Sequence, residues 1–174
     1  MGVNILNTEK SPVINKDYIQ GKVDKGEVFF ISNTFSAVTN GASVYIRHKA
    51  GVHKYLNSIL SIATVGQWEF TSFKGTTYSA IGTEIEPINR KSDSIIALET
   101  KFYHTPTITD LGTPRLQYTF GTGTNPAKSE TSQNNDNYAS VFAPNSDVLV
   151  RLTNNSGATA YITFIYNVYE EVIV

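Results

Sequence analysis

A chain of 174 residues fits one domain of ordinary size, and 40% apolar against 17% charged residues supplies a core and too little charge for a disordered chain. A net charge of −1 without a polybasic run excludes a phosphate-backbone footprint, so no nucleic-acid partner is expected. The absence of Cys excludes disulfides and thiolate metal sites.

The opening MGVNILNTEKSP has no long apolar h-region, and no run approaches the roughly 20 apolar residues that span a bilayer. Neither a signal peptide nor a membrane partner is expected. Asn7 stands where a myristoylation pattern wants Ser or Thr. Ten Tyr and nine Phe, together with Thr and β-branched residues, favour strands.

Residues 1–25 are polar and patternless and read as an extended arm. It is either a frayed terminus or a segment that orders on a neighbouring subunit. Glu27 to Phe35 is the first strand. Ser43 to Ala50 alternates, with Val44, Ile46 and His48 on one face. Lys54 to Val65 reads as a strand, with a helical turn over Tyr55 to Leu60 as the alternative. The stretch from Gly66 to Arg90 holds the single Trp. Trp68, Phe70 and Ser72 point one way; Glu69, Thr71 and Phe73 point the other. Lys74-Gly75 is turn chemistry, the chain resumes at Thr83, and Pro87 ends it. The stretch reads as strand, turn, strand around a core Trp.

Ser94 to Tyr103 alternates and predicts a strand. Asp110-Leu111-Gly112 predicts a turn, and Arg115 to Phe120 a short strand that groups Leu116, Tyr118 and Phe120. Gly121 to Asn137 is the most polar stretch and reads as a long loop. Tyr138 to Phe142 and Asp147 to Thr153 predict strands, Asn154-Asn155-Ser156-Gly157 a hairpin turn, and Ala158 to Ile173 a last strand covered on both faces. About eight to ten strands with frequent turn signals predict an all-β fold. It is expected to be an antiparallel, jelly-roll-like β-sandwich over residues 26–174, preceded by the extended N-terminal arm of residues 1–25.

No constellation carries chemistry. His48 and His53 are five apart across Gly51, a spacing that metal motifs do not use, and His104 is remote. His48 is expected to be a partly buried, hydrogen-bonded side chain. Glu84 and Glu86 share a strand face roughly 7 Å apart. Paired carboxylates can hydrolyse glycosides, but same-strand neighbours seldom flank a scissile bond, and two exposed acids are ordinary. Glu130, Asp136 and Asp147 match no calcium loop. Gly121 and Gly123 lack the Lys-Ser/Thr and helix of a phosphate cradle. No nucleophile elbow occurs. Catalytic, cofactor-binding and metal residues are each expected to be none, and the chain is expected not to be an enzyme. The tyrosines suit a core, a subunit interface or a sugar-stacking platform.

Two segments carry a resemblance. The first is Trp68 to Gly75 (WEFTSFKG) followed by Gly82 to Asn89 (GTEIEPIN). The second is Pro144 to Asn154 (PNSDVLVRLTN), with a closing Tyr169-Glu170. From about Val23 onward the chain resembles small tailed-bacteriophage virion structural proteins, which include capsid decoration and head-fibre-like β-sandwich proteins. It departs from their pattern at Val148, where an aromatic is more usual, and in the 121–137 loop. The resemblance implies a virion component made in the host bacterial cytoplasm, with no catalytic residues. It implies a homo-oligomer, trimer or dimer, attached to other virion proteins such as the major capsid protein. Members occur on capsids and elsewhere in the particle, so a tail-associated or host-glycan-binding module is the alternative.

Overall fold

A computed structural model describes residues 12–121, 129–130 and 139–172. Among the described residues, one helix, α1 (Pro12–Asp24), precedes fourteen strands. In chain order these are β1 (Val28–Val38), β2 (Ser43–Lys49), β3 (Lys54–Val65), β4 (Trp68–Lys74), β5 (Thr77–Ala80), β6 (Thr83–Ile85) and β7 (Ile88–Asn89). There follow β8 (Lys101–His104), β9 (Thr107–Asp110), β10 (Thr113–Phe120), β11 (Ser129–Glu130), β12 (Ala139–Phe142), β13 (Asp147–Asn154) and β14 (Ala160–Val172).

The strands form two antiparallel sheets packed face to face. The first runs β11–β3–β14–β1–β7, with β12 also on β3; the second runs β10–β4–β13–β2–β8–β6. A separate ribbon pairs β5 with β9. Alternation builds the core, because every second residue of a strand faces the other sheet. Ile162, Phe164, Tyr166 and Val168 of β14 face Ile46 of β2, Trp68 and Phe70 of β4, and Val150 and Leu152 of β13 in one buried cluster. Trp68 is fully enclosed, and its indole Nε1–H donates to the Val65 carbonyl at 3.1 Å.

That bond closes a tight crossing. β3 lies in the first sheet and β4 in the second, joined only by Gly66 and Gln67. Gly66 takes φ +76° there, and a Cβ would collide with the Ser156 side chain. Only glycine meets both demands.

The all-β sandwich is as expected, and three local expectations need correction. Residues 12–24 of the arm are helical, not extended. Their helix lies against its own sheet: the Tyr18 ring meets Tyr169 edge-on at 6.1 Å, its hydroxyl donates to the Glu171 carboxylate, and Lys22 bridges Glu27 at 3.1 Å. Ser94 to Thr100 is irregular, and only Lys101–His104 is strand. The amides of Glu99 and Thr100 donate to the Glu170 carboxylate at 3.0 and 2.7 Å and have no ladder partner. Asn154 to Gly157 is a turn, but it joins β13 in one sheet to β14 in the other, so it closes no hairpin. The Asn154 amide explains this, donating to Val38 O and Ala158 O at 2.8 Å each and tying the turn to the end of β1. The strand, turn, strand reading around Trp68 holds as β4, β5 and β6, of which β6 pairs β8 and β5 pairs β9. Lys54–Val65 is strand throughout, which excludes the helical alternative. Within the long polar loop, Ser129–Glu130 pairs with Thr64 and Val65, and the remainder lies outside the described residues.

Candidate functional site

The titratable residues singled out above do not converge. His53 is exposed, and His104 bonds its neighbour Thr105 at 3.0 Å. His48 is enclosed beside Phe142, ring centroids 4.4 Å apart, and Phe102, at 5.8 Å. Contrary to expectation, neither of its ring nitrogens has a hydrogen-bond partner among the described residues. Burial lowers its pKa from 6.5 to about 4, nearby Asp147 opposes this, and Arg115 adds to it. Asp147 itself is held by Arg47 at 2.6 and 3.0 Å, and Asp136 lies outside the described residues. Glu84 is paired to Lys101 at 2.7 Å on the surface, and Glu86 is exposed. Among the described residues, no three His, Asp or Glu side chains could hold a metal ion.

What the molecule offers instead is two sheet faces of opposite character. The outward face of the second sheet is charged and internally paired. Arg47 bridges Asp147 and lies 4.4 Å over the Tyr78 ring; Arg151 bridges Glu69 at 3.2 Å and lies 5.2 Å over Phe73. The bidentate Asp147 bond raises the Arg47 pKa, and burial pushes the Tyr78 phenol up to about 12. Each guanidinium already has a carboxylate and a ring.

The outward face of the first sheet carries no charge at its centre. In register, Ser32 lies beside Ile165 and Ile165 beside Ser61; Thr34 lies beside Thr163 and Thr163 beside Ala63. The Thr34 and Thr163 hydroxyls bond each other at 2.8 Å. Helix α1 covers only one end of this face, where Ile19 meets Ile59, Asn167 and Tyr169 around a small cavity. Tyr55 and Tyr161, the exposed tyrosines of the face, do not form one stacking platform. Tyr55 is level with Glu171, ten residues along β14 from Tyr161, or about 33 Å.

Glu170, read in the sequence only as part of the closing Tyr169-Glu170, has a structural role that sequence reading missed. Its carboxylate is enclosed, accepts from Glu99 N, Thr100 N and Thr100 Oγ1, and meets Lys54 Nζ at 3.5 Å. The signal was available: Glu170 continues the even-numbered, inward set of β14, and an acid there must be bonded. Glu170→Gln is expected to destabilise by about 2 kcal/mol, since hydrogen bonds to a charged acceptor are the strong ones. Urea unfolding checks this. A loss below roughly 0.5 kcal/mol, the size of an ordinary surface substitution, would mean the carboxylate does not pin this segment.

Comparisons with protein-family models, with curated proteins and with solved structures found no match. No helix among the described residues is long and apolar enough to cross a membrane.

Proposed function

We propose that the chain is a structural component of a tailed-bacteriophage virion, a capsid-associated decoration or head-fibre protein that acts as a homo-oligomer. The observation that carries the assembly part is the contrast between the sheet faces. An uncharged patch of Ser32, Ile165, Ser61, Thr34, Thr163 and Ala63 suits burial against a second copy, because charged residues are depleted at interface cores. The charged face opposite has its ions already paired within the chain, and Tyr78 of the β5–β9 ribbon lies over Arg47. The virion part rests on the resemblance of the Trp68 to Asn89 and Pro144 to Asn154 segments. The strand order supports it at the level of fold. β1 to β4 alternate between the sheets, and the orders β1–β14–β3–β12 and β2–β13–β4–β10 suit a double-sheet jelly roll. A rigid body of this kind serves assembly without a cleft. Placement on the tail, or host-glycan binding, is the competing role for the same body.

Ile165→Arg tests the assembly reading. The wild-type chain is expected to elute as a dimer or trimer by size exclusion with light scattering, and the variant as a 19.2 kDa monomer. Its folded stability should hold within about 0.5 kcal/mol, as for other surface substitutions. A wild-type monomer would overturn the reading. Mass spectrometry and imaging of purified particles test the virion reading, which fails if the chain is absent from them.

A further inference from the structure

At the edge where β6 and β7 end their sheets, the segment from Pro87 to Leu98 shapes two complementary features. This edge lies across the molecule from β10, β11 and β12. Helix α1 turns away from it, toward β3, where Ile19 and Ile59 line one cavity.

The first feature is a knob. Ile95 is 99% exposed, although the chain on both sides of it is pinned. Before it, the Ser94 hydroxyl donates to the Gly26 carbonyl at 3.2 Å, and the Ser94 amide donates to the Lys91 carbonyl at 3.1 Å. After it, the Ile96 amide donates to Ser94 Oγ at 3.2 Å, and the Ile96 carbonyl accepts from the Asn89 side-chain amide at 3.4 Å. The segment already lies so close to Gly26 that a Cβ there would collide with Ser94. Held in this way, Ile95 keeps its apolar surface in water, at a cost that a partner would remove.

The second feature is a groove of about 590 Å³. Phe29, Pro87, Ile96 and Leu98 give it apolar walls, and the exposed Glu84, Glu86 and Lys101 rim it. Charge matches the two features. Lys101 is taken by Glu84 at 2.7 Å, which leaves Glu86 without an ion pair among the described residues. On the knob segment, Lys91 lies 3.9 Å from Asp93, which leaves Arg90 without a carboxylate among them; its guanidinium lies 4.9 Å over the Phe30 ring. The knob therefore offers a cation and the groove an anion. Ser94 and Ile96, either side of Ile95, themselves line the groove, so knob and groove make one patch. A patch complementary to itself is what a two-fold contact between identical chains requires.

We propose that this patch joins two copies of the chain about a two-fold axis. Ile95 of each enters the groove of the other, and Arg90 of each meets Glu86 of the other. The contact is separate from the sheet-face contact above and does not depend on it. Ten residues line the groove, against roughly 20–30 on each side of a stable interface. The contact is therefore weak, with a Kd of about 1 mM, and links copies where their local concentration is high.

Sedimentation equilibrium of Ile165→Arg, which lacks the sheet-face contact, reads it from micromolar to millimolar concentration. A monomer–dimer equilibrium is expected, weakened at least about tenfold in Ile95→Ser by the loss of one buried apolar side chain per copy. The unfolding midpoint of Ile95→Ser is expected to be unchanged, because the side chain lies outside the fold. Arg90→Glu and Glu86→Arg, added singly, each set like charges against one another and weaken association several-fold. An equimolar mixture of the two associates as the parent does, since each Glu then faces an Arg. No association up to millimolar concentration, association that Ile95→Ser leaves intact, or a mixture no stronger than its components overturns the proposal. A wild-type chain that is monomeric in dilute chromatography overturns the sheet-face reading alone.

Discussion

Trp68→Ala is expected to cost about 4 kcal/mol, a large share of the roughly 5–15 kcal/mol that holds a domain folded. The side chain is wholly enclosed, so truncation removes its transfer free energy and leaves a cavity between the sheets. It also takes the indole N–H from the Val65 carbonyl, which keeps only the longer Thr64 hydroxyl bond, at 3.4 Å, from a side chain. The position is sensitive because three strands meet there: Trp68 lies beside Phe120 of β10 and Asn154 of β13. Collapse into the hole would require β10 or β13 to shift, and with them the turn that Asn154 ties to Val38. Trp68→Phe keeps the ring and loses the hydrogen bond, so about 1–2 kcal/mol is expected. Urea unfolding should report a lower midpoint with an unchanged slope. A Trp68→Ala loss below about 1 kcal/mol would show that the sheets do not close on this residue.

The same residue shows what the sequence discloses and what it hides. Alternation of Trp68, Phe70 and Ser72 against Glu69, Thr71 and Phe73 gives the strand and its inward face, because facing is a local property of an extended chain. The partner of that strand is not local. Trp68 pairs with residues 120 and 154, while the stretch that follows it, β5 and β6, pairs elsewhere. In a sandwich whose successive strands change sheets, turn residues say that the chain bends and not which strand it bends toward. Asn154 to Gly157 illustrates the point: hairpin chemistry serves an inter-sheet crossing because the Asn154 amide finds carbonyls of β1 and of the turn. Ser94 to Thr100 fails differently. Its alternation is real, but the carboxylate of Glu170 satisfies its last two amides, and Ile95 is left fully exposed.

Sequence reading offered no positive site to place. Glu84 pairs with Lys101, His104 bonds Thr105, and His53 is exposed. The uncharged face of the first sheet needs pairing registers to be seen, since Ser32, Ser61 and Ile165 come from three distant segments. His48 was placed on the correct face, but its lack of a partner is a tertiary fact. Its neighbours are rings from β8, β12 and β14.

That enclosure predicts acid sensitivity. The His48 pKa is lowered from 6.5 to about 4, so between these values the unfolded chain takes up a proton that the folded chain refuses. Stability therefore falls as pH drops through that window, is fully present above about 6.5, and loses nothing further to this group below about 4. The full interval is worth about 3 kcal/mol. Desolvation is the leading cause; the Asp147 carboxylate opposes it and the Arg115 cation reinforces it. His48→Leu replaces the imidazole with an apolar side chain that does not titrate. The difference between wild-type and variant unfolding free energies, measured at pH 7 and pH 4, isolates the imidazole from the carboxylates both proteins share. Wild type should lose about 3 kcal/mol more than the variant over that span. Arg115→Gln should shrink the difference, because removing the cation lets the folded imidazole hold its proton to higher pH. Parallel curves for wild type and His48→Leu would mean that the ring reaches solvent in the folded protein.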